Sequence, residues 1–142
     1  MEKTPKIVPE EIHLLKIDVV KSELNSIAFK QAKEPKVDIA HKLLHNLKDE
    51  MLKIELVFSF KNKQEEQLML LQTDYHFKIE KIHQFYKLND EKPIFSGVLV
   101  ATILGIAIST SRGILFEKLE SSGIKNIIIP VISPQKILIK SH

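Results

Sequence analysis

The chain has 142 residues, 44% of them apolar and 27% charged, which argues for one folded domain with a core rather than a disordered segment. Its net charge of +3 is mild and its lysines are scattered, so no stretch reaches the density of a nucleic-acid-binding tail. The absence of cysteine removes disulfides, thiol nucleophiles and cysteine-based metal sites, and suits the cytoplasm.

Residues 1–9 read as a loose arm on a single domain spanning 1–142. They mix Lys, Glu and Pro, with no apolar stretch behind them to serve as a signal peptide. Residues 11–29 carry Ile12, Leu14, Ile17, Val19, Val20, Leu24 and Ile27, the pattern of a long strand interrupted by a bulge. A polar connector with Pro35 follows. Residues 37–51 support two readings. Ile39, Leu43, Leu47 and Met51 recur every four residues, as on a helix, while Val37, Ile39 and His41 alternate, as on a strand.

Residues 51–61 give the clearest strand: Leu52, Ile54, Leu56, Phe58 and Phe60 point one way, and Lys53, Glu55, Val57, Ser59 and Lys61 the other. After a turn at 62–66, residues 67–82 run back as its hairpin partner, with Met69, Leu71, Thr73, Tyr75, Phe77 and Ile79 on one face. The polar stretch 87–92 ends the strand region, with Asp90 as a helix cap and Pro93 in the first turn.

Residues 94–111 carry no charge. The stretch approaches the roughly 20 residues of a membrane span. Five Ser or Thr residues within it, two glycines and the lack of flanking aromatic belts weigh against that reading. A helix apolar all round is a buried helix, so it is expected to be covered on nearly all sides. It is expected to end near Gly113, with 114–120 continuing after a break. Gly97, Ala101, Gly105, Ser109 and Gly113 fall four apart and form a small-residue stripe where another backbone can approach. The stripe is expected at a contact with a second subunit about a two-fold axis, the other option being the chain's own last helix. Residues 124–132 form a β-branched extended segment, and 134–140 a short last helix capped by Ser133.

His41 and His45 are four apart, but no carboxylate accompanies them in the register of a metalloprotease helix. Residues 109–113 lack the glycine pattern of a phosphate loop and end a helix rather than open one. Nothing marks a catalytic site, so no enzyme activity, cofactor or metal is expected.

The order of elements resembles the SecB family of bacterial export chaperones. The residues that carry the likeness begin with Glu34-Pro35-Lys36-Val37-Asp38-Ile39, similar to that family's Pro-x-Val-x-Leu crossover. Residues 50–60 are similar to its central alternating strand, and His76-Phe77-Lys78-Ile79 to its Phe-x-Ile strand end. Ser111-Arg112-Gly113 resembles the close of its long helix, and Pro130-Val131 the Pro-Val before its final helix. The likeness spans 11–138.

The resemblance implies an α+β fold: a four-stranded antiparallel sheet with one long apolar helix and a short C-terminal helix packed on one face. It implies a homotetramer, a dimer of dimers joined through the long helices, where the spacing has already placed the stripe of Gly97, Ala101, Gly105 and Ser109. It also implies ATP-independent holding of unfolded or precursor polypeptides in apolar grooves, and delivery to the motor SecA. Carried over by position, the client groove uses Val37 and Ile39 of the crossover, Ile137 and Leu138 of the last helix, and Phe29 before the crossover. The chain departs from the family in being basic, in placing Gln72 where an acidic docking residue is expected, and in an apparent insertion at 114–125. These departures bear on SecA docking more than on client binding. A SecB-like chaperone dedicated to a toxin–antitoxin system fits the same residues. A basic nucleic-acid-binding protein and a binder of a small hydrophobic ligand are the readings from other classes.

Overall fold

The computed structural model describes residues 5–125, 127, 129 and 134. After a 3-10 turn at Pro9–Glu11, the order is β1 (Ile12–Leu24), α1 (Ser26–Gln31), β2 (Lys36–Asn46), β3 (Met51–Lys61), β4 (Gln67–Ile79), a 3-10 turn (Ile82–Phe85), β5 (Tyr86–Asn89), β6 (Lys92–Phe95) and α2 (Gly97–Ser121). The fold is α+β, with a four-stranded antiparallel sheet in the order β1-β4-β3-β2. Three hairpin-linked strands and a first strand lying beside the fourth make a Greek-key arrangement. The chain crosses from one outer edge to the other between β1 and β2, by way of α1.

β3 is the strand that its alternation foretells. Its helix-side residues Leu52, Ile54, Leu56, Phe58 and Phe60 are at most 2% exposed, and its other side is half-wet. β4 supplies Met69, Leu71, Thr73, Tyr75, Phe77 and Ile79 to the same dry layer. The β3–β4 turn is closed by Asn62, whose side chain accepts from the backbone of Gln64 (3.0 Å) and Glu66 (2.9 Å). Most of the ambiguous segment 37–51 is strand β2, in unbroken register with β3; residues 47–50 turn the chain into β3, which begins at Met51.

β1 is long and carries two register breaks, at Leu14/Lys16 and Val19/Lys21. The doublets Leu14-Leu15 and Val19-Val20 explain them. A doublet breaks period two, and a bulge absorbs one residue of it. Ile12, Leu14, Ile17, Val19 and Leu24 thereby stay opposite the helix-side residues of β4, while His13, Lys16, Asp18, Lys21 and Glu23 stay on the open side. The strand stops at Leu24 instead of running to 29. Asn25 caps α1 by accepting from the backbone N–H of Ala28 (3.1 Å), and this short helix carries Phe29 into the core.

Three expectations for the long helix are corrected. It starts at Gly97, capped by Ser96, because 86–95 forms a hairpin in which Pro93 lies opposite Leu88. Asp90 is no helix cap but sits with Glu91 in the two-residue turn, both at positive φ (50° and 65°), as a hairpin turn that follows strand twist requires. The helix does not break at Gly113 but runs to Ser121, so the apparent insertion at 114–125 adds turns to it. It ends where Gly123 adopts φ 77°; Gly123 and Ile124 donate to the carbonyls of Glu120 (3.0 Å) and Leu119 (2.9 Å), a Schellman close with Leu119 and Ile124 both buried.

The helix is also not covered on nearly all sides. It packs on β3 and β4 through Leu99, Ile103, Leu104, Ala107, Ile108, Ser111, Leu115 and Leu119. Val98, Ile106 and Phe116 on its outer face are 38%, 36% and 47% exposed. A helix about 10 Å across can present only one side to a sheet. Ile124 and Ile129 of the following segment are buried. The remainder of the expected last helix lies outside the described residues, apart from Pro134.

Candidate binding surface

Of the expected site residues, Val37 and Ile39 lie on the helix side of the sheet, and the small-residue stripe lies on α2 above it. Val37 and Ile39 lie on β2 opposite Phe60 and Phe58, half-buried against the core with their outer sides open. Their row continues along β2 through His41, Leu43 and His45, about 26 Å from Val37 to His45 at strand rise. At one end α1 closes the row. Phe29 is 2% exposed and packs on Phe60 with ring centroids 5.3 Å apart. Phe29 is therefore a core residue rather than a groove contact, because the α1 turn points it inward where a strand would have left it at the rim. At the other end Phe95 meets both His45 and Tyr86 at 5.8 Å. Ile27, Leu88 and Ile94 are exposed around these two ends. Ile137 and Leu138 lie outside the described residues.

The small-residue stripe divides. At Gly105 an added Cβ would lie 3.5 Å from Cγ of Pro134, so the chain's own Pro134 reaches α2 there. Gly97, Ser109 and Gly113 are exposed, and Ala101 is half-buried. The richer apolar surface is one that the spacing did not single out: Leu14, Leu15, Ile17, Val19 and Val20 on β1, between 39% and 55% exposed. Leu14, Ile17 and Val19 share the sheet face on which α2 packs. The doublets that cause the bulges were the available signal for a strand overloaded with apolar residues.

On the open side of the sheet, β1, β4 and the middle of β3 carry charges paired with each other. Lys16 lies 3.4 Å from Asp18, which also meets His76 at 3.2 Å; Lys21 lies 3.5 Å from Glu23. Lys53 bridges Glu55 (3.2 Å) and Asp74 (3.4 Å), and Glu55 first, then Asp74, hold its ammonium above the usual lysine range. Asp74 is 8% exposed, and its Oδ1 is buried without a hydrogen-bond partner. Gln72, at the centre, lies between Lys21 and Val57. At the lower edge Glu11 holds Lys81 (2.9 Å) and keeps its pKa raised.

Inside, Tyr75 and Ser111 share a buried hydrogen bond between sheet and helix. Burial pushes the Tyr75 hydroxyl above the usual tyrosine value, and the Ser111 bond offsets part of that. Leu56, Leu71, Tyr75, Leu99 and Ile103 are wholly buried, so the sheet–helix gap is filled with protein and leaves no room for a hydrophobic ligand among these residues. A shallow pocket of about 220 Å³ beside Leu44, Met51, Lys53 and His76 is smaller than the roughly 300–1,000 Å³ of ordinary ligand sites. On a strand, His41 and His45 stand about 13 Å apart, beyond reach of one metal ion. Among the described residues no group of three or more His, Asp or Glu side chains is placed to hold one.

No protein-family model matches the chain, and a search of curated proteins finds no match either.

Proposed function

We propose that the protein is an ATP-independent holdase that binds extended, unfolded polypeptides along the helix side of its sheet and assembles with further copies of itself. The observation that carries this reading is apolar surface left open on one side of a well-packed domain. Leu14, Leu15, Ile17, Val19 and Val20 on β1, and Val98, Ile106 and Phe116 on α2, stand exposed although the core beneath them is complete. Rimmed apolar surface of this kind marks a protein-binding face.

The two edges divide the labour. The β1 row and the outer face of α2 form the subunit contact, which moves the contact away from the stripe at Gly105 toward the β1 edge. The row from Val37 to His45, bounded by α1 at one end and Phe95 at the other, forms the client groove. The resemblance to SecB chaperones agrees with this division. It does not extend to SecA: the open face around Gln72 carries charges already paired with each other, rather than an acidic docking patch. Those same pairs leave no continuous basic surface there for nucleic acid.

The test is aggregation of a chemically unfolded protein, followed by light scattering without nucleotide. A several-fold excess of this protein is expected to suppress scattering, and Ile39→Asp, at the groove, to abolish suppression while leaving the circular dichroism unchanged. Undiminished aggregation at that excess overturns the holdase reading.

A further inference from the structure

The two outer edges of the sheet are built differently. β1 is bulged twice, and its lysines Lys16 and Lys21 are paired along their own strand. Bulges twist an edge away from further pairing. β2 runs against β3 with no register break from Lys36 to Asn46. Its helix-side row is the half-buried Val37, Ile39 and Leu43; its open-side row includes Lys36, Asp38, Ala40 and Lys42, all exposed.

The charges of that row are not neutralised. Lys36 lies directly opposite Lys61, and among the described residues neither of them nor Lys42 has an ion-pair partner. Lys42 faces Glu55, but Glu55 is held by Lys53 at 3.2 Å. Like charges directly opposite on neighbouring strands repel. Within the row only Asp38 offsets them.

Resting on the holdase reading, we propose that β2 takes its client by strand addition at its outer edge, and that the preferred client is an extended segment in which apolar residues alternate with Asp or Glu. The period of two decides this. When one face of an added strand lies beside Val37 and Ile39, its other face lies beside Lys36 and Lys42, with Lys61 one strand further in behind Lys36. Main-chain hydrogen bonds supply affinity, and the alternation supplies selection. A segment alternating apolar residues with Lys would set cations against cations.

The probes are fluorescein-labelled peptides of 11 residues, the length of β2. One alternates Val and Glu, one alternates Val and Lys, and one holds the Val and Glu residues in two separate blocks. Anisotropy titrations at low salt are expected to show the Val–Glu peptide binding roughly tenfold tighter than the other two. That advantage should shrink at about 0.5 M salt. Lys36→Glu combined with Lys42→Glu, both at exposed positions, should reverse the order of the charged peptides. Methylating alternate backbone amides of the Val–Glu peptide, in one of the two phases, should remove binding. Equal affinity for the Val–Glu and Val–Lys peptides, or a preference unchanged in the double variant, overturns the proposal. Suppressed aggregation without charge preference sinks this inference and leaves the holdase reading standing; no peptide binding and no suppression sinks both.

Discussion

β3 and β1 lie in one sheet, run for 11 and 13 residues and are both loaded with apolar side chains, yet their fates are opposite. β3 sits between two strands and under α2, and its helix-side row is sealed. β1 sits at an edge, outside the two strands that α2 packs on, and Leu14, Ile17 and Val19 remain exposed. Composition does not separate the two strands; position does. A long helix laid over β3 and β4 completes the core, and the apolar residues of β1 are surplus to it. Surplus apolar surface on a stable domain is where function is to be sought.

The largest effect should fall on β3. Phe58 is 1% exposed and faces Ile39 and Leu71 across its two neighbouring strands. Phe58→Ala removes a ring from a sealed layer and is expected to cost about 3–5 kcal/mol, read as a lowered urea midpoint. A cost under about 1 kcal/mol would mean that the layer is not the core.

A middle-sized effect should come from the buried Tyr75–Ser111 link between sheet and helix. Tyr75→Phe leaves the Ser111 hydroxyl buried without its partner, at a cost of about 1–3 kcal/mol. It should also change the response to alkali. The folded chain holds the Tyr75 proton more tightly than the unfolded chain, whose tyrosine titrates near 10.0. That contribution is complete below pH 10 and is lost as the pH rises through the raised folded value. Lys53 and Lys81 are shifted in the same direction in both proteins, so comparing urea midpoints near pH 8 and about pH 10.5 isolates Tyr75. The variant should lose less stability over that interval than the parent, and an equal loss would place the alkaline sensitivity elsewhere.

The smallest effect on stability should come from β1. Ile17→Asp with Val19→Asp alters two exposed side chains, at about 0.5 kcal/mol each. The same pair should lower the mass in solution, because it sets charges into the surface proposed to join copies. An unchanged mass together with unchanged folding would make the β1 row an idle surface and remove the functional meaning of its contrast with β3.

Much of this could be read from residues. The bounds of β3 and the dry face of β4 followed from period two, because central strands under a helix enforce strict alternation. The helix was visible from its lack of charge, but its ends were not. The hairpin from Tyr86 to Phe95 escaped notice because its turn uses Asp90 and Glu91 at positive φ instead of the Asn-Gly or Asp-Gly pair that announces such turns. β2 looked helical as well as extended because an edge strand is buried on one side only, and Ile39, Leu43 and Leu47 satisfy both periods. Val37 and Ile39 do lie on a strand that follows the crossover. Phe29 is a core residue instead, because a six-residue helix reverses the direction a strand would have given its side chain.

The sequence by itself determined which residues must leave water: the alternating rows of β3 and β4, the uncharged helix and the doublets of β1. Local periodicity and the hydrophobic effect act on every copy of the chain alike, so they can be read without coordinates. Only the tertiary structure decided which of those residues find cover. One helix has one buried side, and it lies on the two inner strands. The outer face of α2, the β1 row and the unneutralised lysines of β2 stay open because the chain has been placed elsewhere, a matter of topology that no local pattern encodes.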